Sequence, residues 1–339
     1  MDKTKPVVAL TLGDAAGIGS ELIAKLLTQP DITAKAHIAL IADSWQWQQG
    51  KAIAGVQIEL PKVNTFADAI DYSDSPVFIE RHTLEQSEVA LCENSPQCGT
   101  ATLNILTECM DAALAGIVDA ICFAPLNKHS MKMGGLEHED ELHFFAAYLD
   151  VDHYFCEFNT SGDLWTSRIS SHIPLKDAHQ YITVANIKAA SFLIYDALKL
   201  AGYESPRVAV AAFNPHAGEG GTCGREEIDI IEPAVRACRD NGYPISGPFP
   251  ADTIFIKVQN KAIDAVVTMY HDQGQIAIKL MGFTRGVTVH GGLPIPITTP
   301  AHGTAFDIAG QGIANVMPMR KAFDIACSMG ANQLNKQTT

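Results

Sequence analysis

Short apolar runs alternate along the chain with longer segments whose apolar residues recur every three or four positions. PVVALTL (6–12), HIALIA (37–42), DAICFA (119–124), RVAVAAF (207–213) and DAVVTMY (264–270) read as strands, because each is short, apolar and bounded by turn-forming residues. Several are apolar almost throughout, as expected of strands in a parallel sheet covered by helices on both faces. Between them, Thr100 to Ile117 carries Leu103, Leu106, Met110 and Leu114 on one helical face. Val184 to Leu200 and Glu226 to Arg239 repeat that pattern. Strands and helices in alternation predict an α/β fold.

The length of 339 residues suits two domains at about 150 residues each. No Pro/Ser-rich linker divides the chain, and the nearest breaks are APLNK (124–128) and GGLPIPITTP (291–300). One continuous segment, 126–294, is therefore expected as an insert between 1–125 and 295–339, which would leave a central cleft. Twenty-four Lys and Arg against 38 Asp and Glu leave a formal charge of −14, which argues against nucleic acid and anionic membranes as partners. An anionic substrate would need a local positive site. The eight cysteines form no C-x-x-C pair and read as reduced thiols. The apolar run near the N-terminus is too short for a signal-peptide core, and no run approaches the roughly 18 residues of a membrane span, so a cytoplasmic location is expected.

The chemistry-bearing residues cluster in turns. TLGDAAGIGSE places Gly13, Gly17 and Gly19 between a strand and a helix, where backbone N–H groups can face a ligand, although the spacing is not G-x-G-x-x-G. His172 in SSHIPL, His216 in NPHAGEGG and His271 in MYHDQG each follow an apparent strand. Three imidazoles suit zinc, nickel or cobalt, with Asp252 and Asp272 adding oxygen donors or orienting the rings. The spacing equally permits histidines that only hydrogen-bond within their turns. Lys279 lies in an apolar stretch, facing either an anion or solvent. In PAHGTAFDIAGQGIA, Asp307 stands among His302, Gly303, Thr304, Gly310 and Gly312, as in a loop that encloses a flat ligand or in a capped turn.

Taken in order, TLGDAAGIGSE, APLNK, SSHIPL, NPHAGEGG, GPFPADT, MYHDQGQIAIK, GFTRGV and AHGTAFDIAGQGIA resemble the motifs of the 4-hydroxythreonine-4-phosphate dehydrogenase family over nearly the whole chain. The resemblance implies the fold of isocitrate and isopropylmalate dehydrogenases: two α/β/α domains, a central cleft, and an obligate homodimer with a shared active site. The first domain would carry the adenosine-binding loop, and the second the metal ligands and dimer contacts. His172, His216 and His271 match the family's metal histidines, the third being supplied by the partner subunit in relatives. One divalent ion is implied: zinc, nickel, cobalt, manganese or magnesium. Asp252 and Asp272 match its adjacent aspartates and, with Lys279, are the catalytic candidates. Gly13, His302, Gly303, Thr304 and Asp307 match the cofactor site, with the aspartate accompanying NAD rather than NADP.

The chain departs from the family where a substrate phosphate should bind. Asp140, Glu141 and Leu142 stand at the family's Gly, His and Thr, Thr288 replaces an Asn, and Ile297 replaces an Arg. Lys279 alone survives from that clamp, unless Arg168 or Arg285 substitutes. At 4 Å, Glu141 would oppose a phosphate by roughly 1–4 kcal/mol. The expected substrate is therefore a small unphosphorylated hydroxy acid, oxidised at a secondary alcohol, with decarboxylation able to follow. The family's terephthalate-route dehydrogenase, which acts on an unphosphorylated diol dicarboxylate, is similar in the HDQGQIAIKLM run. The alternatives are a genuine 4-hydroxythreonine-4-phosphate dehydrogenase of pyridoxal phosphate biosynthesis, a phosphate acyltransferase-like enzyme, and a nonenzymatic solute-binding protein.

Overall fold

The computed structural model describes residues 5–282 and 286–337. The first strand, β1 (Val7–Thr11), is buried along its whole length, and a glycine turn leads from it into α1 (Gly19–Leu27). The alternation continues through β2 (His37–Asp43), α2 (Ser44–Ala54), β3 (Lys62–Val63), β4 (Val77–Arg81), α3 (Pro96–Leu114) and β5 (Ala120–Phe123). Two short helices follow, α4 (Lys128–Met133) and α5 (Glu141–Tyr148). The middle of the chain opens with the hairpin β6 (Cys156–Ser161) and β7 (Leu164–Arg168). It continues through α6 (Val184–Leu200), β8 (Val208–Ala211), α7 (Glu232–Asp240), β9 (Ser246–Phe249), α8 (Ala251–Gln259), β10 (Ala265–Thr268) and α9 (His271–Gly282). The last elements are β11 (Gly286–Gly291), β12 (Ile297–Pro300) and α10 (Met317–Gln337).

All five apolar runs form strands, and the predicted 184–200 helix is α6, started by the Thr183 side chain accepting from Asn186 N at 3.1 Å. The helix expected at 100–117 begins earlier, because Ser95 Oγ caps Cys98 N at 3.2 Å and Pro96 fits the first turn, where no N–H is needed. The helix expected at 226–239 starts as a wide π-helical stretch, Glu227–Ile231, before α7. GGLPIPITTP, read as a break, contains β12, which is built by pairing with β5.

The chain forms two compact units. The first runs to Asp152 and takes Val287–Val289 and the chain from Leu293 onward. Its strands lie in the order β3-β4-β2-β1-β5-β12 with parallel pairings. Phe145 of α5 and the following Leu149 enter one apolar core with Met110, Ile121, Phe123 and Ile297. That burial carries the unit past the expected boundary at 126. The second unit, His153–Gly286 with His290–Gly292, orders its strands β6-β7-β10-β8-β9. Only its β6–β7 pair is antiparallel among these. All eight cysteines are free thiols; burial pushes Cys122 up to about 12, as suits an unreactive core position, while Cys92 is exposed. Among the described residues no helix is long and apolar enough to cross a membrane.

Candidate active site

In the second unit, β7 and β10 are parallel neighbours with Arg168 opposite Thr268, so their C-terminal ends deliver two turns side by side. Ser170 N and Oγ both donate to Met269 O, at 3.3 and 2.9 Å, and fasten those turns together. The result brings His172 and His271 within 5.7 Å, ring centroid to centroid, at a tilt of 48°. They border a cavity of about 310 Å³ lined by residues 170–173 and 270–272, with Leu175 and Ala178 as an apolar wall. Asp272 Oδ1 lies 2.7 Å from His271 Nδ1. A carboxylate can only accept, so this contact places the proton on Nδ1 and leaves Nε2 as a lone-pair donor for a cation.

His216 lies on the turn that follows β8, a strand adjacent to β10. His216 to Gly220 all have positive φ, from 44° to 77°, a left-handed run that costs roughly 1–2 kcal/mol for each non-glycine residue. Glu227 holds the entry to this turn. Its Oε1 accepts from Phe213 N at 2.8 Å and Asn214 N at 2.7 Å, and its Oε2 accepts from Asn214 Nδ2 at 2.9 Å. Gln273 ties the same region to α9: its Oε1 accepts from Met269 N and its Nε2 donates to Ala212 O, each at 2.8 Å. His216 is exposed and does not line the cavity between the other two imidazoles. Asp252 is exposed at the start of α8 and Lys279 is exposed on α9; neither lines that cavity.

Arg168 is not a spare cation. Only 8% exposed, it donates from Nε to Ser171 Oγ at 2.9 Å, from Nη1 to Asn159 Oδ1 at 2.7 Å and from Nη2 to Glu157 Oε2 at 3.0 Å. All three nitrogens are committed, which removes it as a substitute for a lost phosphate donor. Arg285 lies outside the described residues.

In the first unit, Gly13 has φ +67°, and a Cβ there would stand 2.4 Å from Ala124 O, so the turn after β1 accepts only glycine. Ile18 N donates to Thr304 O at 3.1 Å, which fastens the 301–312 loop to the start of α1. The glycine turn and the candidate adenosine loop are thus brought together. Asp307 is exposed on that loop. Burial pulls the His302 imidazole below its ordinary pKa, partly offset by its bond to Gly303 O. Asp14, which the sequence reading passed over, is 1% exposed. Burial raises its carboxyl, against the bond from Ala16 N at 2.8 Å. An acid inside a glycine turn was the signal available.

Of the expected substrate-pocket residues, Ile297 is fully buried in the core of the first unit, on β12 beside β5. Leu142 and Thr288 are buried, at 4% and 9% exposure. Asp140 is the N-cap of α5: its Oδ1 accepts from His143 N at 3.0 Å and lies 2.7 Å from His143 Nδ1. Burial pushes Asp140 up, yet the His143 bonds and Lys128 outweigh it and hold the carboxyl below its usual range. Glu141 is buried, with Oε2 3.3 Å from Lys128 Nζ.

The family described as "Pyridoxal phosphate biosynthetic protein PdxA" matches residues 34–326. The chain belongs to the PdxA family. It is 50% identical, over 97% of its own length and 98% of the relative, to a Pseudomonas aeruginosa protein provisionally named 4-hydroxythreonine-4-phosphate dehydrogenase 2. It is 33% identical, over 96% of its length and 98% of the relative, to an Oceanobacillus iheyensis protein provisionally named D-threonate 4-phosphate dehydrogenase. The crystal structure of 4-hydroxythreonine-4-phosphate dehydrogenase from Klebsiella pneumoniae superposes with a TM-score of 0.83 at 32% identity, covering 97% of this chain and 99% of that one. This PdxA-family chain is accordingly a dehydrogenase, an oxidoreductase acting on a CH–OH group.

Proposed function

We propose that the chain is an NAD-dependent, divalent-metal-dependent dehydrogenase that oxidises the secondary alcohol of a small hydroxy acid lacking a terminal phosphate. The observation that carries the metal reading is Asp272 on the His271 Nδ1 proton, which leaves Nε2 of that imidazole as a lone-pair donor. His172, His216 and His271 would hold the ion, the third supplied by the partner subunit as in relatives; neutral imidazoles suit zinc, nickel or cobalt. A bound ion supplies charge that makes the substrate alcohol more acidic, and NAD supplies the hydride acceptor. Asp272 keeps His271 in one tautomer, Lys279 binds the substrate carboxylate, and Asp252 or Asp272 takes the alcohol proton. The β-keto acid so formed can lose carbon dioxide in a following step. Gly13, His302, Gly303 and Thr304 bind the nucleotide, and the exposed Asp307 accepts from ribose hydroxyls and repels a 2′-phosphate.

The absence of phosphate is supported by Glu141, buried beside a single lysine where the family has a histidine, and by Asp140, already spent on capping α5. A dianionic phosphate needs several N–H donors or cations to replace its water. A second reading, a 4-phosphorylated hydroxy acid, is favoured by the names of the relatives above. Steady-state kinetics at 340 nm with phosphorylated and unphosphorylated hydroxy acids, under NAD and NADP, decide between them. Turnover confined to unphosphorylated acids with NAD is expected. A micromolar KM for 4-phosphohydroxythreonine or D-threonate 4-phosphate overturns the substrate assignment, and equal kcat/KM with NADP removes Asp307 from the cofactor site.

A further inference from the structure

Helix α1 fastens the segment 304–314 at both of its ends. At the first end Ile18 N donates to Thr304 O at 3.1 Å. The approach there is close enough that a Cβ on Gly17 would stand 2.8 Å from Thr304 Cβ. At the second end Glu21 Oε1 accepts from Ala314 N at 2.7 Å and from Lys25 Nζ at 2.6 Å, while Lys25 Nζ also donates to Gly312 O and Ala314 O, each at 2.9 Å. An ammonium has three N–H donors, and these three acceptors use them all. Lys25 therefore has no proton left for a nucleotide phosphate, although it lies on the helix that follows the glycine turn. Between the two ends Asp307, Gly310 and Gln311 are exposed, and Gln311 Nε2 donates to Asp307 O at 2.8 Å.

We propose that Glu21 and Lys25 are positioning residues for the dinucleotide: by fixing where the loop ends they set where Asp307 meets the adenosine ribose, and so the affinity for NAD and its preference over NADP. This rests on the reading of the loop as the cofactor site. As a fastening alone the pair is costly, because Glu21 is 1% exposed and its Oε2 accepts from no group among the described residues. Well-packed apolar residues commonly serve stability as well or better. What they cannot do is hold an irregular backbone in one register. Glu21 takes the N–H of Ala314 and Lys25 takes its carbonyl together with that of Gly312, so both polar groups of one peptide residue are read at once. A loop held at its first end alone samples more arrangements, and nucleotide binding then carries the cost of selecting one of them.

Fluorescence titration of the full-length protein with NADH and with NADPH, without substrate, tests the proposal alongside thermal melting. Lys25→Met removes all three donors and keeps a long unbranched stem, whereas Lys25→Gln keeps an amide for one carbonyl. Glu21→Gln keeps an acceptor oxygen for Ala314 N and Lys25, and Asp307→Ala reports on the cofactor site itself. The expected result for Lys25→Met is about 10-fold weaker NADH binding, as when the fraction of chains with the loop in place falls to about a tenth, with a smaller loss for NADPH. Lys25→Gln should change in the same sense by less, and it decides the matter if Lys25→Met fails to fold. Glu21→Gln should bind as the wild type does. Unchanged NADH affinity in the folded lysine variants overturns the positioning role, as does an equal loss for both dinucleotides or a Glu21→Gln loss equal to that of Lys25→Met. An Asp307→Ala chain that keeps wild-type affinity and preference overturns the cofactor-site reading and the proposal with it, a failure distinct from silent lysine variants in a chain whose Asp307→Ala variant loses its preference.

Discussion

Glu227 satisfies two half-buried backbone N–H groups and one amide with a single carboxylate, just where the chain enters a left-handed run that it would not adopt unaided. Removing it leaves donors unpaired in a site that is 1% exposed. Glu227→Ala is expected to cost about 2–4 kcal/mol in urea denaturation, at roughly 1–3 kcal/mol per unsatisfied donor with partial relief by water. His302 works in the opposite chemical sense. Burial holds its folded pKa below the ordinary 6.5, so the unfolded chain takes up a proton first as pH falls. The contribution is present above about pH 6.5 and is lost as pH drops from there toward the lowered folded value. His302→Asn should flatten that acid limb of stability, measured by urea denaturation between about pH 5 and about pH 7.5. An acid limb identical in the variant and the wild type would contradict it.

Among the elements, α1 and the 301–312 loop form one assembly, because Ile18 N at the helix entrance donates to Thr304 O. A Cβ at Gly19 would fall 2.0 Å from Leu12 O, well inside contact distance, so Gly19→Ala must push α1 away from β1. The expected consequences are a lower melting temperature and weaker NAD binding in a fluorescence titration, the second because the displaced helix carries Thr304 with it. Wild-type NAD affinity in a folded variant would separate the loop from the cofactor site. These elements also mark where periodicity was a sufficient guide. The runs at 207–213 and 264–270 are mostly apolar because both faces of β8 and β10 are covered, and that reads directly from sequence. Gln273 and Gln275 were legible only as neighbours of His271. Their partners, Ala212 and Asn159, lie 61 and 116 residues away, and no local pattern connects them.

For the molecule as a whole, a resident cation is expected to contribute to stability as well as to catalysis, because ligands on separate turns come together only in the folded chain. Chelator treatment should abolish dehydrogenase activity, and zinc or cobalt should restore it. At about 100-fold over its Kd the ion should add about 2.7 kcal/mol of stability, seen as a rise in melting temperature over the chelated protein. Identical melting curves with and without chelator would count against a bound metal. The linear sequence determined the α/β class, the strands that are apolar on both faces, the family motifs and the identity of the three histidines, because these depend on residue type and local period. Tertiary structure alone decided which of them meet. His172 and His271 are paired because β7 and β10 are adjacent in the sheet, a long-range registry between Arg168 and Thr268. The same long-range packing drew Ile297 into the core beside β5 and spent Arg168 on Glu157, Asn159 and Ser171, since a side chain's partners are set by strand order and the sequence period reports only which face is buried.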